Sequence, residues 1–363
     1  MILSFHSVSP KGEIALAAAN VPYANLQWTR RLSTCGSFEV QLACPLPVPW
    51  PGRYLVTADE RDEVGVLEKV EAGDSPKGEP PTVSGRFAES LFDRYRFGAD
   101  GGAARGANWR QAVTAAMGAW HMGDIPPLAM GAGTEAATGG SYTLAGDAGK
   151  TGMETIYAAA YANGARPLVS FDRDLDPVNL RVSLVAGADR TRSQASVPVQ
   201  VFSTGLASAS SVSYTGDYSC ACSEVLAHAE RGSDDKKVRV DRTVAVKGFD
   251  ASTMWAQRAY EDVQSLIGQD ADPTAASVDA AAALRACDHM PSLAIDVDPI
   301  GSGYLAGWDL GDTVEAEVAA IGLCAAVRVE EVDEVWKASG HTVGVTLGEK
   351  RISRMARALQ GRR

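Results

Sequence analysis

The chain has 363 residues, of which 45% are hydrophobic and 22% charged, and its formal net charge is −11. This length is enough for two to four domains with sizeable cores, and the composition is ordinary for a globular protein. The acidic balance argues against a general nucleic-acid-binding protein, which would be basic.

Targeting and redox signals are weak. No run of about 18 apolar residues is present, so we expect no membrane-spanning helix and no stable membrane insertion. The segment Met1–His6 lacks the basic and long apolar regions of a secretory signal. The six cysteines are scattered, and we expect reduced, mostly buried thiols, as in a cytoplasmic environment.

Residues 1–96 are predicted to be mostly β-strand. Apolar and polar residues alternate, as half-buried antiparallel strands require, in Leu26–Arg31, Gly36–Leu42, Val64–Val70 and Thr82–Arg86. The last of these strands leads into an amphipathic, helical segment, Phe87–Phe97. No set of catalytic residues lies among these elements, which together indicate a scaffold.

Residues 97–190 are predicted to form a small α/β domain. Its expected elements are two helices, Asn108–Met122 and Gly152–Ala162, and two strands, Pro167–Phe171 and Asn179–Val185. Asn163-Gly164 is a typical end for the second helix.

The remaining chain returns to strands around a helical interruption. Alternation predicts strands at Val199–Phe202, Ser211–Tyr214 and Val238–Val246, and further strands across 292–348. Helices are predicted at Met254–Ile267 and Ala276–Met290. We therefore expect residues 195–248 and 291–349 to form one discontinuous β domain. The helical insert 249–290 is expected to pack on the α/β domain.

Several of these segments resemble one protein family. The first part of the chain has Trp28, then Arg30-Arg31, Gly36-x-Phe38-Glu39-Val40, Val64-Gly65-Val66-Leu67-Glu68 and Thr82-Val83-x-Gly85-Arg86. Later segments are Gly187-Ala188-Asp189-Arg190-Thr191, Trp308-Asp309-Leu310-Gly311-Asp312, Val327–Val332 and Val343–Gly348. Their order and spacing resemble the tail-tip hub proteins of long-tailed, non-contractile bacteriophages. This family includes the hub region of tail-associated lysins and is related to the baseplate hub of contractile-tailed phages.

The resemblance implies an α+β, mainly β fold with two tail-tube-like β-barrel domains and an inserted α/β domain. It implies a virion protein at the tail tip, assembled in the host cytoplasm. Three subunits would present six similar barrels to a sixfold tail tube, close the tube and form the channel for DNA ejection. The implied partners are the distal tail protein, the tape-measure protein and receptor-binding or tail-fibre proteins, with genomic DNA only in transit.

Two other functions stay open at this stage. A tail-associated lysin would carry a cell-wall hydrolase, but the chain continues for only about fifteen residues after the last hub-like strand. A carbohydrate-binding module would use exposed aromatics, and the candidates are Trp50, Trp109, Trp120, Trp255, Trp308 and Trp336.

The sequence contains motifs that imitate enzyme and metal sites. Gly146–Thr151 resembles a phosphate-binding loop, but Leu144 replaces the first glycine, so we expect a plain loop before a helix. Cys220-x-Cys222 lacks the spacing and the second pair of a structural zinc site; we expect buried thiols on a strand. Asp172–Asp176 lacks the glycine and glutamate of a calcium loop. We expect no catalytic residues, no metal and no cofactor.

Two surfaces are expected to be functional. The basic tail 350–363 has an apolar stripe, and we predict that it docks on a neighbouring protein through Arg351, Arg354, Met355 and Leu359. The channel of the trimer is expected to be acidic or neutral, because a cationic lining would bind phosphate. The candidate lining residues are Glu39, Glu68, Glu315 and Glu317.

Overall fold

The protein was described as a computed structural model, which places residues 1–73, 80–94, 96, 102–106, 108–119, 128–129, 142–146, 151–162, 164–172, 179–219, 221–232, 237–246, 249, 251–252, 254–267, 272–286, 292–299 and 303–348. The described part of the chain divides into two compact units. The first unit comprises Met1–Val212 and Asp296–Leu347, and the second unit comprises Ser213–Ile295.

Most of the described chain is β-strand. The strands in chain order are β1 (Leu3–Val8), β2 (Ile14–Val21), β3 (Tyr23–Arg31), β4 (Ser37–Leu42), β5 (Tyr54–Ala58), β6 (Val64–Val66), β7 (Lys69–Glu71), β8 (Thr82–Arg86), β9 (Gly102–Gly106), β10 (Leu128–Ala129), β11 (Tyr142–Gly146), β12 (Ala165–Asp172), β13 (Asn179–Ala186), β14 (Val201–Phe202), β15 (Ala209–Asp217), β16 (Glu224–Arg231), β17 (Val238–Ala245), β18 (Arg258–Asp262), β19 (Ser292–Pro299), β20 (Thr313–Val318), β21 (Leu323–Lys337) and β22 (Gly340–Leu347).

The helices are short and few in the described residues. They are α1 (Trp109–Ala119), α2 (Gly152–Ala162), α3 (Gln264–Ile267) and α4 (Ala275–Ala286), with 3-10 helices at Ala88–Arg94 and Ala319–Ile321. The α+β, mainly β fold class expected from the sequence is confirmed.

A long sheet organises the first unit. Its strand order is β15-β19-β22-β21-β3-β4-β8-β7, and β20 joins it through β21. The central pairs, β21 with β3 and β3 with β4, are antiparallel, so that Trp28 lies opposite Phe38 and Glu334. A smaller sheet, β2-β1-β5-β6, lies in the same unit.

The alternation of side chains decides which face of the long sheet is buried. Trp28, Phe38, Val40, Leu42 and Val83 are at most 2% exposed and belong to one apolar cluster. Val66 is also buried, but it packs in a second cluster around α1, α2, β12 and β13. All six side chains are therefore core residues.

The helix α2 shows how local sequence sets its bounds. The Thr151 hydroxyl accepts a hydrogen bond from the backbone N–H of Glu154 at 3.2 Å, and the Glu154 carboxylate accepts one from the N–H of Thr151 at 2.9 Å. This reciprocal pair is a capping box. Gly164 follows the helix with a φ of +69°, a conformation that glycine adopts without steric cost.

The second unit is a three-stranded sheet with helices on one face. The sheet order is β17-β16-β18, with β16 antiparallel to β17 and parallel to β18. Ala227 and Ala229 of β16 pack with Val278, Ala281 and Ala282 of α4. The opposite face of this sheet is formed by the alternate residues of each strand.

Two details of the sequence interpretation are wrong in this region. The predicted helix Met254–Ile267 contains strand β18, and only Gln264–Ile267 is helical, because Arg258–Asp262 pairs with β16 along its whole length. The Cys220-x-Cys222 segment was expected on a strand, whereas Cys222 lies between β15 and β16. Cys222 is a buried thiol, as predicted, and Cys220 lies outside the described residues.

Other expectations stay predictions. The strand pairings of the described residues close no barrel, so the two barrel-like domains are not seen as such. The division into 1–96, 97–190, 195–248 with 291–349, and 249–290 is likewise a prediction. The tail 350–363, with Arg351, Arg354, Met355 and Leu359, lies outside the described residues.

Candidate functional site: the polar face of the long sheet

The face of the long sheet that points away from the apolar cluster is polar. We call it the polar face. It is formed by side chains that are adjacent through the strand register: Gln27, Thr29 and Arg31 of β3, Ser37, Glu39 and Gln41 of β4, Ser84 and Arg86 of β8, Lys69 and Glu71 of β7, and Glu331 and Asp333 of β21.

The centre of the polar face is fixed by hydrogen bonds across strands. The Asp333 carboxylate accepts bonds from the Gln27 amide at 3.0 and 3.1 Å and from the Thr29 hydroxyl at 2.7 Å. These side chains keep one arrangement because both carboxylate oxygens have donors.

The basic side chains of this region are paired with carboxylates. Arg31 donates to Glu331 at 2.7 Å and to the Ser37 hydroxyl at 3.2 Å. Arg86 donates to both oxygens of Glu68 at 2.8 and 3.0 Å. Lys69 lies 2.7 Å from Glu71. Each of these three positive charges is thus balanced by a neighbouring carboxylate. The side chain of Glu39, in contrast, is exposed to solvent.

The lining residues predicted from the sequence separate into two groups. Glu39 and Glu68 lie at the polar face. Glu315 is only 9% exposed, so its prediction as a lining residue is wrong; it accepts a hydrogen bond from the backbone N–H of Arg192. Glu317 is half-buried and lies 3.3 Å from Arg192.

A buried ion network lies behind the polar face. Arg30 points to the inner side of β3, where its guanidinium donates to Glu63 at 2.7 Å and to Asp309 at 2.6 Å. Glu63 also accepts a bond from Arg166 at 2.9 Å. Burial alone would raise the pKa of Glu63, but Arg30 and Arg166 bring it down to about 2. Glu63 is therefore ionised, and the network joins β3, β12 and the Trp308–Asp312 segment.

A second part of the network surrounds Glu334, which is fully buried. Arg61 forms an ion pair with Glu334, and the Tyr304 hydroxyl donates to it at 2.8 Å. The His341 ring stacks on Trp336 at 4.4 Å and lies 3.4 Å from Glu334. Burial lowers the pKa of His341 despite that carboxylate. These contacts fix the inner side of β21.

Two segments that belong to the family-like motifs, Gly187–Thr191 and Trp308–Asp312, contact each other directly. The Asp312 carboxylate accepts hydrogen bonds from the backbone N–H groups of Ala188 and Asp309 and from the Arg190 guanidinium. A Cβ on Gly187 would lie 1.9 Å from the carbonyl oxygen of Gly311, so only glycine fits there. The two segments therefore pack closely against each other.

The enzyme-like and metal-like motifs have structural explanations where they are described. Thr151 of the phosphate-loop imitation caps α2, and Lys150 lies outside the described residues. In the described part of the chain, no group of three or more His, Cys, Asp and Glu side chains is placed to hold a metal ion. None of the described helices is long and apolar enough to cross a membrane.

The structure shows how exposed several of the aromatic candidates for sugar binding are. Trp109 and Trp308 are each 2% exposed, which makes them core residues. Trp50 is 42% exposed and Trp255 is 95% exposed. Trp120 lies outside the described residues.

Sequence comparison gives no match, either to a protein-family model or to a curated protein. Solved structures do match. The tail protein from Neisseria meningitidis MC58 has a TM-score of 0.54 at 14% identity, and the match covers 96% of each chain. The 43 kDa tail protein of prophage MuSo2 from Shewanella oneidensis has a TM-score of 0.52 at 12% identity, covering 96% of this chain and 98% of that one.

A third similar structure is the prophage tail protein gp18 from Listeria monocytogenes EGD-e. Its TM-score is 0.52 at 9% identity, and the match covers 100% of this chain and 99% of that one. At such identities the likeness establishes a shared fold, over essentially the full length of each chain. The resemblance to phage tail proteins drawn from the sequence is confirmed at that level.

Proposed function

We propose that this chain is a structural protein of a phage tail and, more narrowly, the hub at the tip of a long, non-contractile tail. The supporting observation is the fold that it shares end to end with three phage tail proteins. Because one fold can serve several functions, the proposal also depends on the chemistry of the polar face.

The polar face suits a channel for DNA. A protein that neutralises phosphates with free basic groups releases counterions and binds DNA tightly. On this face Arg31, Lys69 and Arg86 already have carboxylate partners. The remaining positions are mostly hydroxyls and amides, which hold water, and carboxylates, which repel phosphate. DNA would therefore pass with little friction.

The assembly we propose is a homotrimer at the tail tip of the virion. Its neighbours are the distal tail protein, the tape-measure protein and the receptor-binding or tail-fibre proteins, and it is assembled in the host cytoplasm. Its role is mechanical: it closes the tube, retains the tape-measure protein and then opens for genomic DNA. We propose no catalytic step.

The basic tail is proposed as a docking segment for a neighbouring subunit or tail protein. Arg351, Arg354, Met355 and Leu359 combine positive charge with an apolar stripe. Deleting 350–363 should weaken trimer or particle assembly, measured by sedimentation of the assembled tails. Wild-type assembly and infection by the truncated protein at every salt concentration would contradict this role.

The test of the proposed function combines location with mass. A small epitope tag on the hub, detected by gold-labelled antibody in electron micrographs, should mark the distal tail tip. The purified protein should have the mass of a trimer, about 114 kDa, which is three times 38.1 kDa. Label along the tail shaft or on the capsid would contradict the hub assignment. Release of sugar fragments from peptidoglycan by the purified chain would favour a tail-associated lysin.

A further inference from the structure

The first unit contains a small apolar pocket that the proposed function does not use. Its volume is about 140 Å³. A cavity of about 150 Å³ admits a group as large as benzene, so this pocket has room for an alkyl chain of about six carbons. Its lining includes four buried side chains of one apolar cluster, which are Leu55, Val66, Leu91 and Leu180.

Two arginines line the same pocket. Arg53 directly precedes β5, and its carbonyl accepts a hydrogen bond from the backbone N–H of Val8 at 3.0 Å. Arg94 is the last residue of the 3-10 helix Ala88–Arg94. Both residues are exposed, and neither guanidinium has an ion pair or a hydrogen bond with a described residue. The pocket thus combines an apolar lining with two cations that lack partners in this part of the chain.

The two arginines differ from others of the first unit in their lack of a carboxylate. Arg30, Arg31 and Arg86 each form an ion pair with a glutamate. The described lining of the pocket, in contrast, contains no acidic residue. Two like charges at one small pocket repel each other, and a bound anion would remove that repulsion and accept hydrogen bonds from both guanidinium groups.

This combination selects among classes of ligand. Inorganic phosphate could pair with the arginines, but it would leave the apolar lining in contact with water. A neutral apolar molecule would cover the lining and leave the arginines without a partner. An alkyl carboxylate satisfies both parts of the pocket, because its chain removes apolar surface from water and its head matches the planar donors of a guanidinium group.

We propose that this pocket binds an alkyl carboxylate of about six carbons. The chain packs against Leu55, Leu91 and Leu180, and Arg53 and Arg94 bind the carboxylate. This binding goes beyond the proposed tail function and does not depend on it, because none of the residues that line the pocket belongs to the polar face. Either proposal can therefore fail without the other.

Isothermal titration calorimetry on the full chain tests the site, with butyrate, hexanoate, decanoate and hexylammonium as probes. Hexanoate should bind about tenfold more tightly than butyrate, because its two further CH₂ groups are also removed from water. Decanoate should gain little more, since hexanoate already fills the pocket. Hexylammonium has the same chain length as hexanoate but a positive head, and it should not bind.

Matched variants locate the binding. Arg53→Gln and Arg94→Gln should each weaken hexanoate binding about fivefold or more, and both side chains are exposed, so the fold should be unchanged. Arg53→Lys keeps the charge and should bind within about threefold of the wild type. Arg105→Gln changes an exposed arginine of β9 that does not line the pocket, and it should have no effect.

Four results would overturn the proposal. Hexanoate does not bind, or hexylammonium binds equally well. The affinity rises as steeply from hexanoate to decanoate as from butyrate to hexanoate, which indicates non-specific adsorption. Arg105→Gln weakens binding as much as Arg53→Gln does. A peptide with a carboxyl-terminal phenylalanine binds more tightly than hexanoate, which would favour a protein partner instead.

Discussion

Two buried carboxylates have opposite protonation behaviour, and their surroundings explain why. Glu63 accepts bonds from two arginines, which hold its pKa at about 2 although burial opposes this. Glu89 is also fully buried, and one of its oxygens accepts the backbone N–H of Val169 at 2.8 Å. Among the described residues, no arginine donates to it and its other oxygen has no hydrogen-bond partner. Burial raises the pKa of Glu89 to about 7.

These shifts predict the pH dependence of stability. The ordinary pKa of both groups is 4.5. Glu63 contributes stability above pH 4.5 that is lost as the pH falls towards 2. The folded pKa of Glu89 is raised, so its ionisation favours the unfolded chain, and stability falls between pH 4.5 and about 7.

Glu89→Gln should remove most of the loss of stability that occurs between pH 4.5 and about 7. At pH 7.5 the free energy of unfolding should rise by about 2 kcal/mol, because no charge is then buried. Chemical unfolding at a series of pH values measures this. Glu63→Gln is the control with the opposite sign, and it should lose about 3 kcal/mol at pH 7.5 because it removes the buried carboxylate that Arg30 and Arg166 share. An unchanged pH profile for Glu89→Gln would contradict the assignment.

Phe38 should be a major contributor to the core of the first unit. Its side chain is 2% exposed and its ring centroid lies 5.8 Å from that of Trp28. Phe38→Ala should lower the free energy of unfolding by about 3–5 kcal/mol. The adjacent exposed residue provides a control, since Glu39→Ala should change it by less than about 0.5 kcal/mol. A loss below about 1 kcal/mol for folded Phe38→Ala would be inconsistent with this core.

At the scale of elements, local signals made some predictions accurate. The sequence predicts α2 with the bounds that the structure has, because Thr151, Glu154 and Gly164 specify both ends. The composition of Met254–Ile267 is compatible with a helix or a strand. Its strand β18 depends on pairing with β16, which lies far away in the sequence, and local pattern cannot reveal that.

The candidate site was predictable only in part for the same reason. Glu39 alternates with the buried Phe38 and Val40, so its exposure follows from strand period. The buried network was not foreseen. Glu63 and Arg166 have the sequence context of surface charges, and local pattern does not reveal that Glu63 accepts hydrogen bonds from both the distant Arg30 and the distant Arg166.

The contact between the Gly187–Thr191 and Trp308–Asp312 segments gives a prediction at the scale of elements. Gly187→Ala should lower the free energy of unfolding by about 2 kcal/mol or more, because a Cβ would meet the backbone of Gly311 at 1.9 Å. Gly73→Ala is a matched control, since a Cβ there has no atom within 4 Å. Thermal denaturation of both variants measures the difference. Equal stability of the two would show that the segments are not in close contact.

At the scale of the whole molecule, the proposed hub depends on the charge of the polar face. Glu39→Lys combined with Gln41→Lys would place free positive charge on β4, where both side chains are exposed. Assembled tails carrying this variant should eject DNA more slowly, and added salt should reduce the delay because it screens phosphate contacts. Glu13→Lys lies in the turn between β1 and β2 and changes the charge by about +2, against about +3 for the double variant; it should eject normally. Equal ejection rates for the two variants would argue against a channel at the polar face.

The most direct test of the account is a cryo-electron microscopy map of the tail tip in intact particles. It should show three copies of this chain around the tail axis, with Gln27, Thr29, Glu39 and Ser84 of the polar face directed into the lumen. A map in which these side chains face the outside, or in which rings of unpaired Lys or Arg line the narrowest point, would contradict it.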